Sequence, residues 1–377
     1  VHIRKWLFVF TALSLLVVAA PVSFAQDTTP APIESVCLIT DVGRVNDGTF
    51  NQLSYEGMVQ AAEDFALENT FIETLAQTDY AANIATCIDE GYDAIVVVGY
   101  LLYDATLAAA IEHPEVYFIG VDQYIEAGPA NFVGIQFRED QAAFLVGALA
   151  ALVTETNTVG GVYGVDIPPV VRFRVGYEQG VAYMASLLEK EVDILGVYID
   201  SFEAPDRGSA AAEQFLGEGV DVLFGCGGQT GSGGITAAAT LGSWVIGVDT
   251  DEYFTTFGSG ETPGADRIIS SAIKRVDNGV YDMIAALVED GDPEAFLGGT
   301  NYLLDINNGG MTFAPANEAD IPAEYYAVVA QLEAALGSGD LTTGINNDTA
   351  EVEVSVEELL ALDFQPDLTE LIAAMNS

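Results

Sequence analysis

Between residues 35 and 289 the chain alternates short, unbroken apolar runs with longer stretches of helical spacing. Runs at 35–40, 70–75, 94–99, 116–121 and 132–137 are rich in β-branched and aromatic residues, with helical stretches at 53–68, 81–90, 101–112 and 140–153. The alternation continues with runs at 159–163, 193–198, 220–224, 244–248 and 268–273, and helical stretches at 173–190, 208–218, 231–241 and 276–289. A strand buried on both faces reads as a continuous hydrophobic run, and parallel neighbours need a crossover helix between them. The pattern therefore predicts an α/β chain with parallel sheets covered on both faces. Roughly 300 residues of such units exceed what one core holds, so two doubly wound parallel-sheet lobes are expected, joined by a hinge. The first lobe is expected over 35–136 plus 269–297. The second takes 137–268 plus 298–377, including a looser C-terminal extension.

Ligands of parallel sheets bind beyond the carboxyl ends of the strands, so those ends are informative. The first run leads into Asp41, Asp47, Phe50 and Asn51, the third into Gly99-Tyr100, and the fourth into Asp122-Gln123. In the second half the ends carry Asp200-Ser201-Phe202, the glycine-rich stretch 225–231 and Asp249-Thr250-Asp251. Arg44, Arg138, Arg172, Arg174, Lys274 and Arg275 are expected on the same side. Each residue also has a structural reading. Asp47 fits a helix cap, Phe50 and Phe202 could tuck into the core, and Gly227 and Gly228 could serve only the turn.

Charge and composition narrow the chemistry. The chain has 11 basic and 57 acidic residues, a formal net charge of −46. Such a surface repels phosphate backbones and anionic membranes, which argues against nucleic-acid binding. His2 and His113 are the two histidines, and His113 falls at the amino-terminal side of a strand. A histidine triad or a multi-histidine metal site is therefore out of reach, and no catalytic residue, metal or cofactor is expected. Gly225-x-Gly227 lacks the last glycine of a dinucleotide fingerprint, although Asp249 follows at a suggestive distance. No Gly-Lys pair occurs, so a Walker-type phosphate loop is absent as well.

Arg4 and Lys5 precede an apolar run from Trp6 to Ala20, and Ser23-Phe24-Ala25 places small residues before a cut at Gln26. Residues 1–25 read as a secretory signal, with an uncleaved anchor as the alternative, and 26–34 as a polar tether. The protein is expected outside the cytoplasm, periplasmic or extracellular and associated with the cell surface. Its acidity hints at a saline or acidic medium. Cys37, Cys87 and Cys226 make an odd count in apolar surroundings, so buried free thiols are the expected state.

The residues also form a familiar ordered series. Asp41-x-Gly43-x-x-Asn46-Asp47-x-x-Phe50-Asn51, ending at Tyr55-Glu56-Gly57, resembles the opening motif of the basic membrane protein family. The likeness continues through Gly99-Tyr100, His113-Pro114, Asp122, residues 131–139, 225–231, 246–251 and 270–274. Members are substrate-binding proteins of ABC importers, similar to the purine nucleoside receptor A type. The resemblance implies a type I periplasmic-binding-protein fold with a nucleoside held between two hinged lobes. It implies Phe50 stacking on the purine, with Asp41, Asn51 and Asp122 as polar contacts. Asp249 and Lys274 would meet the ribose hydroxyls, Gly228 would offer backbone contact, and Phe202 is placed on the opposite wall. Two features depart from the family: no lipid-attachment cysteine follows the leader, and the surface is acidic rather than basic. The expected partners are a purine nucleoside and an ABC permease in the membrane, with the protein itself a monomer. A binder of a sugar or another polar metabolite is the alternative, as is a ligand-sensing module for a membrane receptor. An enzyme acting on a nucleoside is a third class.

Overall fold

The computed structural model describes residues 32–288 and 293–375. The expected signal segment at 1–25, most of the tether and the Glu289 end of the predicted helix lie outside the described residues. Among the described residues no helix is long and apolar enough to cross a membrane.

Twelve strands are described: β1 (Ser35–Val42), β2 (Glu68–Thr74), β3 (Ala94–Val98), β4 (Tyr117–Val121), β5 (Phe132–Phe137), β6 (Thr158–Tyr163), β7 (Asp193–Tyr198), β8 (Val222–Cys226), β9 (Trp244–Asp249), β10 (Ile268–Lys274), β11 (Asn301–Leu304) and β12 (Met311–Phe313). Helices α1 (Phe50–Phe65), α2 (Tyr80–Asp89), α3 (Tyr103–Glu112), α4 (Glu139–Val153), α5 (Pro168–Leu187), α6 (Pro205–Gly217), α7 (Gly228–Thr240) and α8 (Val276–Ala285) separate them. Helices α9 (Ala323–Ser338), α10 (Val356–Leu360) and α11 (Thr369–Met375) follow.

The strands form two six-stranded sheets, ordered β11-β5-β4-β3-β1-β2 and β12-β10-β9-β8-β6-β7. Within the two sheets every described strand pairing is parallel except β10 with β12. In each sheet the winding reverses beside the first strand, between β1 and β3 and again between β6 and β8. A crevice opens at such a reversal, beyond the carboxyl ends of the strands. The buried strands supply the reason for the fold: β3, β4, β5 and β8 are buried along their whole length, and only helices on both faces can cover them.

Two sequence expectations are corrected by the pairing. The sequence pattern places the strand at 268–273 in the first lobe from Ile269 onward, yet β10 runs beside β9, with Ser271 opposite Gly247 and Ala272 opposite Val248. The chain returns after this strand, at Arg275, and α8 then packs on α1. Conversely β11, assigned with 298–377 to the second lobe, extends the first sheet, with Tyr302 opposite Ile135. An apolar run reports burial on both faces and is silent about which sheet provides the neighbours.

The cysteines are a further correction. Cys37 of β1 and Cys87 of α2 are joined in a disulfide, with Cα atoms 6.0 Å apart, and Cys226 alone is a buried free thiol. Crossover packing of α2 on the sheet brings together two cysteines separated by 50 positions in sequence. Sequence spacing carries no trace of that meeting.

Candidate functional site

The carboxyl ends of both sheets face one cleft. It contains about 600 Å³ of space free of protein atoms, counting the part open to solvent. All eight residues singled out from the sequence line it: Asp41, Phe50, Asn51, Asp122, Phe202, Gly228, Asp249 and Lys274. Of the six cations expected nearby, Lys274 is the one on the cleft lining. Arg172 lies behind it, and Arg138 and Arg275 pair with Asp140 and Asp277 where the chain crosses between sheets. Arg174 pairs with Glu178 and sits over the rings of Tyr163 and Tyr198.

The first-sheet wall is built by the turn from β1 into α1. Asp47 accepts backbone N–H bonds from Thr49, Asn51 and Gln52 at 2.9, 3.0 and 3.1 Å, so it does cap the helix. That cap places Phe50 and Asn51 in the first turn, at the mouth of β1. Asn51 then ties the wall together, its Oδ1 accepting from the Asp41 backbone N–H at 3.0 Å. Asp41 Oδ1 accepts from the Val42 N–H at 2.7 Å and from the Tyr80 hydroxyl. Gly99 permits this arrangement. Its φ is +110°, and a Cβ there would sit 2.7 Å from Asp41 Oδ2. Burial pushes Asp41 up to about 6, against the pull of the Tyr80 and Val42 hydrogen bonds.

The second-sheet wall comes from the ends of β7, β8, β9 and β10. Phe202 packs its ring over Gly164, where a Cβ would lie 2.5 Å from the ring. Asp249 ends β9 and Asp122 directly follows β4, with φ of 65° and 59°, in the left-handed region where aspartate is tolerated better than most residues. Burial drives the Asp249 carboxyl up to about 8, with the Lys274 charge working in the opposite direction.

Lys274 is the electrostatic centre. Its Nζ donates to Asp122 Oδ2 at 2.7 Å and to Glu139 Oε1 at 2.9 Å, and the side chain is almost fully buried. The rings of Phe137, Phe50 and Phe173 lie 4.7, 5.1 and 5.8 Å from the ammonium. Burial alone would lower Lys274, but Asp122, Glu139 and Asp249 more than offset it and raise the lysine above its usual range. Burial also lifts Asp122, against the pull of Lys274. On Glu139 the outcome is reversed: burial raises it, and Arg172 with Lys274 together hold it below the usual carboxylate range.

Sequence reasoning did not single out Glu139, or the apolar floor made by Ile167, Pro169, Val170 and Phe173. The floor belongs to the first turns of α5, which was expected to start at Phe173 and instead starts at Pro168. Proline at the first positions of a helix forfeits only N–H groups that have no partner there, and that signal was available in Pro168-Pro169. Arg172, expected on the strand-end side of the sheets, stands behind the lining, forked onto Glu139 at 2.6 and 3.3 Å.

Comparison with known proteins agrees with this architecture. Residues 34–332 match the family described as ABC transporter substrate-binding protein PnrA-like, or Bmp. The chain is 32% identical over 287 residues to the ABC transporter nucleoside-binding protein BmpA of Lactococcus lactis subsp. cremoris, covering 73% of this chain and 79% of that protein. It is 32% identical over 248 residues to basic membrane protein A1 of Borrelia garinii subsp. bavariensis, covering 65% of this chain and 69% of that one. A solved ABC transporter solute-binding protein from Aeropyrum pernix K1 superposes with a TM-score of 0.73 at 26% identity, over 88% of this chain and 98% of that chain.

Proposed function

The chain belongs to the PnrA-like, or Bmp, family of ABC transporter substrate-binding proteins, and from that premise we propose that it captures a purine nucleoside between its two sheets and delivers it to an ABC importer. One observation carries the reading: aromatic rings and buried polar groups from both sheets line a single cleft. Phe50 and Phe202 supply flat apolar walls for a base, which gains from stacking as well as from burial. Asp41, Asn51 and Asp122 supply polar partners for a base edge. Asp249 and Lys274, an acceptor and a donor at adjacent strand ends, suit ribose hydroxyls. The Lactococcus relative carries nucleoside binding in its name.

Charge favours the nucleoside over its phosphate ester. The lining sets Asp41, Asp47, Asp122, Glu203 and Asp249 against Lys274, whose ammonium is already shared by two carboxylates. A phosphate brought into that field would meet repulsion, and Lys274 is the one cation among the described lining residues. The two sheets with their helices act as the closing lobes, and the crossings at Arg138, at Arg275 and between β11 and β12 act as the hinge. Export follows from the leader pattern at 1–25, with the protein working as a monomer at the cell surface.

Adenosine, guanosine or inosine is expected to raise the melting temperature, because each binds the folded state alone. Adenosine monophosphate is expected to leave it unchanged. A shift with a sugar and none with any nucleoside would overturn the assignment.

A further inference from the structure

Lys274 is tied to two carboxylates with different attachments. Asp122 directly follows β4 of the first sheet, whereas Lys274 ends β10 in the second. Glu139 opens α4, which packs on α5 and on β10. Its two oxygens are fully used, Oε1 by Lys274 and both by the Arg172 fork. Arg172, on α5, also donates to the backbone carbonyl of Asn347 at 3.1 Å, which anchors it to the C-terminal segment. Glu139 and Arg172 are buried, and neither lines the cleft. Asp122 does line it, and its Oδ1 is buried without a hydrogen-bond partner among the described residues.

The consequence is an asymmetry. Glu139, Arg172 and Lys274 move together with the second sheet, and Asp122 belongs to the first. An opening of the cleft that carries the first sheet away from the second weakens the Asp122–Lys274 bond. The ammonium would then sit among Phe50, Phe137 and Phe173 with no fixed partner unless Glu139 held it. We propose that Glu139, backed by Arg172, is the positioning residue of this site: it fixes the Lys274 ammonium toward the sugar half of the ligand whether or not Asp122 is in reach. This rests on the nucleoside reading given above.

Titration calorimetry with adenosine and adenine tests it. Glu139→Gln keeps the shape and removes the charge, so adenosine is expected to bind about tenfold or more weakly, the cost of a charge-assisted hydrogen bond. Adenine is expected to bind the variant as it binds the parent, because Lys274 faces the ribose. Arg172→Lys retains a charge but loses the fork, and a smaller loss confined to adenosine is expected. A purely structural role would weaken both ligands together or alter only the melting temperature, and that result overturns the proposal. So does a Glu139→Gln protein that binds adenosine like the parent. If Glu139→Gln does not fold, Glu139→Gln with Arg172→Met removes both buried charges, a replacement proteins commonly tolerate, and the same split between ligands is expected. If the parent binds a sugar in place of adenosine, the nucleoside reading alone fails. The variants are then titrated with that sugar, and undiminished affinity overturns the positioning role.

Discussion

Five carboxylates share the cleft lining with one ammonium, and burial pushes one of them, Asp249, up to about 8. Asp122, Asp47 and Glu252 add to its burial and Lys274 opposes them, so before a ligand binds Asp249 is expected to carry a proton at neutral pH. A ribose hydroxyl donating to this group favours the ionised form, so binding is expected to release a proton. Below about pH 8 part of the binding energy goes into removing the proton, so adenosine affinity is expected to rise with pH from about 6.5 and level off above 8, by up to about tenfold per unit. Asp41 and Glu252, both at about 6, titrate below that window. Asp249→Asn is expected to abolish the rise, and calorimetry in buffers of different ionisation enthalpy counts the proton. A variant that keeps the same slope would show that another group is responsible. At this scale the strand-end rule found Asp41, Asp122 and Asp249, because a polar residue directly after an apolar run has few places to go. Glu139 escaped it, since Arg138-Glu139-Asp140 reads as a solvated crossing and only α5 packing above it turns that carboxylate inward.

Among the elements, the pair α4 and α5 determines how closely Glu139 meets Arg172. All fifteen residues of α4 are buried, as expected for a helix that is apolar on every side from Ala142 onward. The two helices approach through glycines. A Cβ on Gly147 would overlap the Tyr177 carbonyl oxygen, and one on Gly180 would overlap that of Phe144. Gly147→Ala and Gly180→Ala are each expected to destabilise the fold by about 1–3 kcal/mol, the usual cost of overpacking, in urea unfolding. They are also expected to loosen adenosine binding by moving Arg172 away from Glu139. Stability equal to the parent in both variants would contradict the close approach. The elements themselves were largely legible, since fully buried strands and their crossover helices announce themselves by uninterrupted apolar runs. Helix starts were less so: α5 opens at Pro168 and α7 at Gly228, ahead of their apolar periodicity. Pairing across sequence distance was not legible, as the placement of β10 and β11 and the Cys37–Cys87 disulfide show.

For the whole molecule, two parallel sheets joined at three crossings place their strand ends face to face, and the ligand is the group expected to bridge them. The ordered motif series from Asp41 to Lys274 made the family legible before any geometry, because its members recur in fixed order along most of the chain. The identity of the ligand was not legible from pattern alone; it depends on how the walls meet. Stacking on Phe50 serves the base, and the Asp249 and Lys274 contacts serve the sugar, so the two halves of a nucleoside can be told apart by substitution. Titration calorimetry of adenosine and adenine on the parent, Phe50→Ala and Lys274→Met is the direct measurement. The parent is expected to bind adenosine, Phe50→Ala to weaken both ligands about equally, and Lys274→Met to weaken adenosine roughly ten- to a hundredfold with little effect on adenine. Lys274→Met binding adenosine as tightly as the parent, or a parent that binds neither ligand, would contradict capture of a nucleoside in this cleft.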